Sequence, residues 1–190
     1  MILDGERIEI GRRVAAIAWP SEQPGCVVAL GEETEYQIPT TTQAAKRVYN
    51  LHILDSHESL NYDELLDIVT EWQGLLGINV LIGKKDKRRN KQLREYNKAA
   101  RELMKPRIDY AKAPFSKDDN LSFYIDAIRS YVKDPTAKRL YFHGHIKDRL
   151  LDIGEFDTKG LDENDSPSVA ALGYAVALFK YYKQDYIDYE

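Results

Sequence analysis

One cysteine, Cys26, stands among 190 residues, which excludes an internal disulfide framework and a cysteine-built zinc cage. It opens the apolar run Cys26-Val27-Val28-Ala29-Leu30 and so reads as a small core residue, not a nucleophile. No apolar stretch reaches the roughly 20 residues that cross a bilayer. The first residues, Met1-Ile2-Leu3-Asp4-Gly5-Glu6, lack the basic-then-apolar layout of a signal peptide. Together these absences predict a cytoplasmic protein with no membrane partner. No Gly-x-x-x-x-Gly-Lys-Ser/Thr loop occurs, which removes a P-loop motor. Serine and cysteine nucleophile motifs, internal repeats and low-complexity segments are also missing.

What is present supports a folded domain. A 43% hydrophobic content supplies a core, 31% charged residues supply a solvated surface, and the length predicts a single domain over residues 1–190. A net charge of −4 argues against a protein that coats nucleic acid over its whole surface. It leaves room for a local basic face, because phosphate binding depends on where the charges sit. They sit unevenly: residues 84–107 are rich in Lys and Arg, whereas residues 148–165 and the tail after Gln184 are acidic.

Periodicity orders the elements. Val14 to Trp19 reads as a strand buried on both faces, stopped by Pro20, with a loop to Pro24-Gly25. Cys26 to Leu30 reads as a second strand, with Gly31-Glu32-Glu33 as a hairpin turn, and Val48 to Leu54 as a third. Pro39-Thr40-Thr41-Thr42 marks an insert between them. Leu65, Ile68, Val69, Trp72, Leu75 and Leu76 recur at helical spacing behind Asn61, a predicted N-cap with Glu64 three residues on. Gly77 closes that helix and Ile78 to Ile82 forms a strand, so residues 48–82 read as a β-α-β unit that adds a parallel strand. Residues 87–105 read as a charged helix ended by Pro106. Ser116 and Asp119 look like a capping start for a helix lined by Leu121, Tyr124, Ile125, Ile128 and Val132. Arg139 to Phe142 reads as a strand, Ile146 to Phe156 as a short helix, and a buried helix starts near Pro167. Three hairpin-joined strands, a β-α-β unit and a terminal helix suit a mixed α/β sheet flanked by helices. RNase H-like is one such fold among several.

Several of these segments resemble, in order and type, the nuclease domain of phage terminase large subunits. They are Ala16-Ile17-Ala18-Trp19-Pro20 with Pro24-Gly25 behind it, Val48 to Asp55, Tyr62 to Leu66, Gly77 to Ile82, residues 121–132 and 138–142, and the Ala171-Leu172-Gly173-Tyr174-Ala175 core of the run Asp165 to Leu178. The resemblance spans roughly residues 12–182 and implies an RNase H-like fold. In that family carboxylates stand on the first strand, at the end of the fourth strand and at the start of the last helix, where they hold two divalent metals. The matching positions here are Ala18, Gly83 and Ala170, none of which offers the oxygen donors that Mg²⁺ requires. The resemblance therefore implies a nuclease frame without its chemistry, with no cofactor expected. An active site built from shifted carboxylates, drawing on Glu22, Asp86, Asp162, Glu163 and Asp165 with Mg²⁺ or Mn²⁺, is the alternative.

The sharper signal is basic. Lys84, Lys85, Lys87, Arg88, Arg89 and Lys91 follow a predicted strand end, and Lys98, Arg101, Lys105 and Arg107 continue the run. Such residues bind phosphates without reading bases. A solvated helix with i,i+4 pairs, Lys91 with Glu95 and Lys98 with Glu102, is the plainer reading. His143-Gly144-His145 reads as a turn with two exposed histidines, and His52 and His57 flank a strand end. The tail from Tyr181 carries four tyrosines among charges, a composition suited to an interface. The expectation is a non-catalytic factor that binds a DNA backbone in phage DNA processing or packaging. An active metal-dependent endonuclease and a protein-interaction module, whose basic helix and tyrosine tail dock a partner, are the other two readings.

Overall fold

Val14 to Ala18 is apolar at every position, so as an extended strand it needs cover on both faces and a neighbour on each edge. The computed structural model supplies all four. It describes residues 1–3, 6–37, 46–84, 87–113, 121–132, 140–143 and 167–181. The strands are β1 (Ile2–Leu3), β2 (Glu6–Arg7), β3 (Ile10–Ala18), β4 (Gly25–Gln37), β5 (Lys46–Ser59), β6 (Val80–Gly83), β7 (Asp109–Lys112) and β8 (Leu140–Phe142). The helices are α1 (Tyr62–Leu75), α2 (Lys87–Glu102), α3 (Leu121–Val132) and α4 (Pro167–Tyr181).

A six-stranded sheet runs β7-β6-β3-β4-β5-β8, and β1 pairs with β2 in a separate small hairpin. The pairs β3–β4 and β4–β5 are antiparallel. The pairs β3–β6, β6–β7 and β5–β8 are parallel. This is the mixed α/β sheet flanked by helices that the sequence predicts, with the first long strand at its centre. The β-α-β unit crosses from β5 past β4 and β3 to lay β6 beside β3. Neither the β1–β2 hairpin nor β7 was expected from the sequence.

Side chains alternate about the sheet. Val14, Ala16 and Ala18 join one apolar cluster with α3 and α4, while Ala15, Ile17 and Trp19 join another with α1 and α2. Helix α4 lies across β4, β3 and β6 and against α3. It is buried continuously from Val169 to Phe179, and Tyr174 meets Tyr124 edge-on at 4.7 Å. Val132, expected on the buried side of α3, is 48% exposed.

The expected turn at Gly31-Glu32-Glu33 is corrected: β4 runs straight through it, with Gly31 opposite Arg13 and His52. The glycine answers a close approach and not a turn. A Cβ at Gly31 would lie 2.4 Å from Cγ2 of Ile10, which occupies that space. At α1, Asn61 caps as predicted, its Oδ1 accepting from the Asp63 N–H at 2.9 Å. Glu64 does not close a capping box; it accepts from Ser59 Oγ at 2.6 Å and meets His57 Nε2 at 3.0 Å. Arg13 donates to the Leu76 carbonyl at 2.7 Å, and Gly77 follows at φ +64°. Leu75, expected on the buried face of α1, is 70% exposed. The insert at 39–42, the cap at Ser116 and Asp119, the helix at 146–156 and the tail from 182 lie outside the described residues.

Candidate nucleic-acid interface

Helix α2 carries seven Lys or Arg residues against two Glu. It holds to the protein by one side. Leu93 and Ala100 are buried, and Tyr96 donates to Asp67 of α1 at 2.8 Å beside Thr70 Oγ1 at 3.1 Å. That hydroxyl first, and then Lys105, hold the Asp67 carboxyl below the usual carboxylate range. Burial pushes the Tyr96 hydroxyl up to about 12. Arg89 belongs to this inner side too: its guanidinium donates to the Pro20 carbonyl and to Gln92 Oε1, and lies over the Tyr62 ring. It fastens the start of α2 to the loop after β3.

The opposite face is a cationic ridge. At 3.6 residues per turn, positions 87, 91, 94, 98 and 101 fall within an arc of about 80° along about 21 Å of helix. Lys87, Lys91, Arg94, Lys98 and Arg101 occupy them, all exposed. Lys91 has the predicted partner Glu95, at 3.8 Å. The predicted Lys98–Glu102 pair does not form among the described residues. Arg94 has only Asn90, Lys91, Asn97 and Lys98 at three and four residues' distance, so its charged neighbours are both cations. Arg101 has Lys98 three residues before it; Lys105 lies beyond the helix end and pairs with Asp67. Like charges at these spacings each cost about 0.2–0.5 kcal/mol.

Of the residues singled out from the sequence, Lys87 and Lys91 stand on the ridge, Arg88 is exposed on its flank, and Arg89 faces inward. Lys84 is half-buried at the end of β6, its carbonyl accepting from the Tyr110 hydroxyl at 2.7 Å. Lys85 lies outside the described residues. The 4-3-4-3 spacing that makes Arg94, Lys98 and Arg101 part of the ridge was readable in the sequence.

Of the three positions matched to the family's carboxylates, Ala18 and Gly83 lie at neighbouring strand ends. Gly83 pairs with Ile17, one residue before Ala18, so β3 and β6 end at the same edge. Ala18 and Ala170 are fully buried and belong to one apolar cluster. A Cβ at Gly83 would fall 2.8 Å from the Tyr110 hydroxyl and 3.0 Å from the Ile17 carbonyl, so a larger side chain there requires the Tyr110 hydroxyl to move aside and Ile17 to give slightly. Of the alternative carboxylates, Glu22 is exposed in the loop after β3; Asp86, Asp162, Glu163 and Asp165 lie outside the described residues. Among the described residues, no three His, Cys, Asp or Glu side chains gather as a metal would require.

The histidines are a correction. His52 sits mid-strand in β5, 2% exposed, and is not at a strand end. His143 is half-buried and not exposed, its Nε2 lying 2.9 Å from His52 Nδ1 with the rings stacked at 5.1 Å. His52 Nε2 in turn meets Glu33 Oε2 at 3.1 Å, which also accepts from Asn50 at 3.1 Å. Because a carboxylate only accepts, His52 carries its proton on Nε2 and its Nδ1 receives one from His143. Burial lowers the His52 pKa, against the pull of Glu33. Ninety-one residues separate the two rings, so nothing local in the sequence announced the pair. His57 meets Glu64 near the surface, and His145 lies outside the described residues.

No family model, no curated protein and no solved structure matches this chain, and none identifies it as a terminase nuclease domain. No described helix is long and apolar enough to cross a membrane.

Proposed function

We propose that the protein is a non-catalytic nucleic-acid-binding domain of RNase H-like build, akin to a terminase nuclease domain, that serves as a binding or assembly factor in phage DNA processing or packaging. The observation that carries this reading is the α2 ridge: Arg94 stands between Lys91 and Lys98 and Arg101 follows Lys98, at a cost to the helix that a polyanion would reverse. A phosphate backbone suits a line of exposed Lys and Arg, which neutralise it without reading sequence. Buried Ala18 and Ala170, with the closed space at Gly83, support the non-catalytic part, since a methyl or a hydrogen supplies no metal ligand.

The test is fluorescence anisotropy of labelled DNA with the protein and a Lys91→Ala/Arg94→Ala/Lys98→Ala variant. The variant should bind at least tenfold more weakly while melting no lower than the parent; equal affinity would remove the ridge as the interface. Plasmid nicking that a chelator abolishes, and that Asp165→Ala or Asp86→Ala removes, would replace this reading with a Mg²⁺- or Mn²⁺-dependent endonuclease. Absence of DNA binding altogether would favour a protein partner for the same helix.

A further inference from the structure

The ridge does not simply run out at the end of α2. Three hydrogen bonds turn the chain there: Met104 N–H to the Arg101 carbonyl at 3.2 Å, Lys105 N–H to the Ala100 carbonyl at 2.9 Å, and Leu103 N–H to the Ala99 carbonyl at 3.2 Å. The first two are the pair that closes a Schellman motif, in which the residue at the position of Met104 adopts a left-handed backbone. That position usually takes glycine; here a methionine holds φ +54°. Asn97 then clamps the returning chain, donating to the Ile108 carbonyl and accepting from the Ile108 N–H, both at 2.9 Å.

The effect is a concave surface where a convex helix end would otherwise be. A cleft of about 680 Å³ is lined by Arg94, Asn97, Lys98, Arg101, Met104, Lys105 and Arg107. Five of those seven side chains are cationic. Lys105 is paired with Asp67 at 3.0 Å and Arg107 with Asp109 at 3.3 Å; Arg94, Lys98 and Arg101 have no carboxylate partner among the described residues. Concave clusters of one sign concentrate potential, and Arg presents planar donor forks to phosphate oxygens. Met104, 95% exposed on the rim, adds an apolar surface beside the charge.

We propose that this cleft is a discrete site for a phosphate group carrying two or more negative charges. A single phosphodiester brings one charge and is served as well by the open ridge. A phosphomonoester or an oligophosphate brings enough charge to draw the Arg94, Lys98 and Arg101 side chains together. Two sources share that chemistry: the phosphorylated end of a nucleic-acid strand, which would extend the proposed function, and the oligophosphate of a free nucleotide, which would not depend on it.

Calorimetric titration of the whole protein with inorganic pyrophosphate tests the site by itself. Binding should weaken at least tenfold in Arg101→Ala and at most twofold in Lys87→Ala, at the other end of the ridge. No pyrophosphate binding, or equal losses in the two variants, would overturn the proposal and leave only a diffuse field. The source is read by comparing one oligonucleotide with a 5′-phosphate, a 3′-phosphate or hydroxyl ends, alongside ATP. Tighter binding of a phosphorylated end, lost in Arg101→Ala, assigns the strand terminus. Binding of ATP and pyrophosphate with no preference among ends assigns the free oligophosphate. Pyrophosphate binding with the expected variant pattern but no oligonucleotide binding would keep the cleft and discard nucleic acid as the ligand of α2.

Discussion

At the scale of single residues, Met104 and His52 occupy positions that their chemistry makes costly. A left-handed backbone disfavours a side chain by roughly 1–2 kcal/mol, so Met104→Gly should raise stability by about 1 kcal/mol after glycine's extra unfolded-state entropy is subtracted. Denaturant unfolding would read this as a higher midpoint at unchanged slope. A lower midpoint would mean that the methionine side chain packs in some way that offsets its backbone. His52 must be neutral to receive the His143 proton while donating to Glu33, with Asn50, Glu35 and Tyr141 also close by. Its folded pKa is lowered, so the unfolded chain takes up the proton first as pH falls. The contribution is therefore complete above about 6.5, the unperturbed value, and is lost as pH drops toward the lower folded value. Once the intrinsic pH dependence of amide exchange is divided out, protection at Tyr141 and Phe142 should fall over that range, and His52→Gln should flatten the profile. Protection factors that do not change with pH in the parent protein would sink this account.

At the scale of elements, α2 trades its own stability for charge. Arg94→Glu would set a carboxylate four residues before Lys98 and three after Lys91, turning two repulsions into two attractions. The expected gain is about 0.8–2 kcal/mol of helix stability, seen as a higher melting temperature, together with weaker DNA binding. Loss of both stability and binding would instead make Arg94 a packing residue. Legibility in the sequence follows the same scale. Helices α1 and α3 were readable from a 3.6-residue apolar pattern, with Asn61 and Gly77 bounding α1; α2 was readable from its charge run and Pro106, and α4 from an apolar run opened by Pro167. Strand β7 was not, because Asp109-Tyr110-Ala111-Lys112 is short, half polar and kept in the sheet by its place beside β6. Gly31 misled for a related reason, since glycine marks close approach as well as turns, and Ile10, which fills its space, is 21 residues away. For the candidate interface, the charge run was plain, whereas the inward turn of Arg89 depends on the Pro20 carbonyl, and the cleft depends on Asn97 meeting Ile108.

At the scale of the whole molecule, a net charge of −4 coexists with one strongly basic helix. An acidic remainder repels a polyanion from most orientations, so encounter should favour the α2 side and collapse in salt. If the five ridge cations each meet a phosphate, the logarithm of the affinity should fall against the logarithm of salt with a slope of about −4.5 for duplex and about −3.5 for a single strand. Anisotropy at several salt concentrations gives that slope directly. A slope near zero would show that DNA, if bound at all, is held elsewhere and by other forces.

The burial of α4 also bears on how the protein is made. Strands β3, β4 and β6 are made more than 80 residues before this helix, and until it docks, their Val14, Ala16, Val28 and Ile82 side chains lack most of their cover. Nascent chains that wait with an apolar sheet face bare are the ones that stick to one another or to chaperones. A released chain that stops before residue 167 should therefore be recovered in aggregates or with chaperones, whereas one that stops after residue 181 should stay folded.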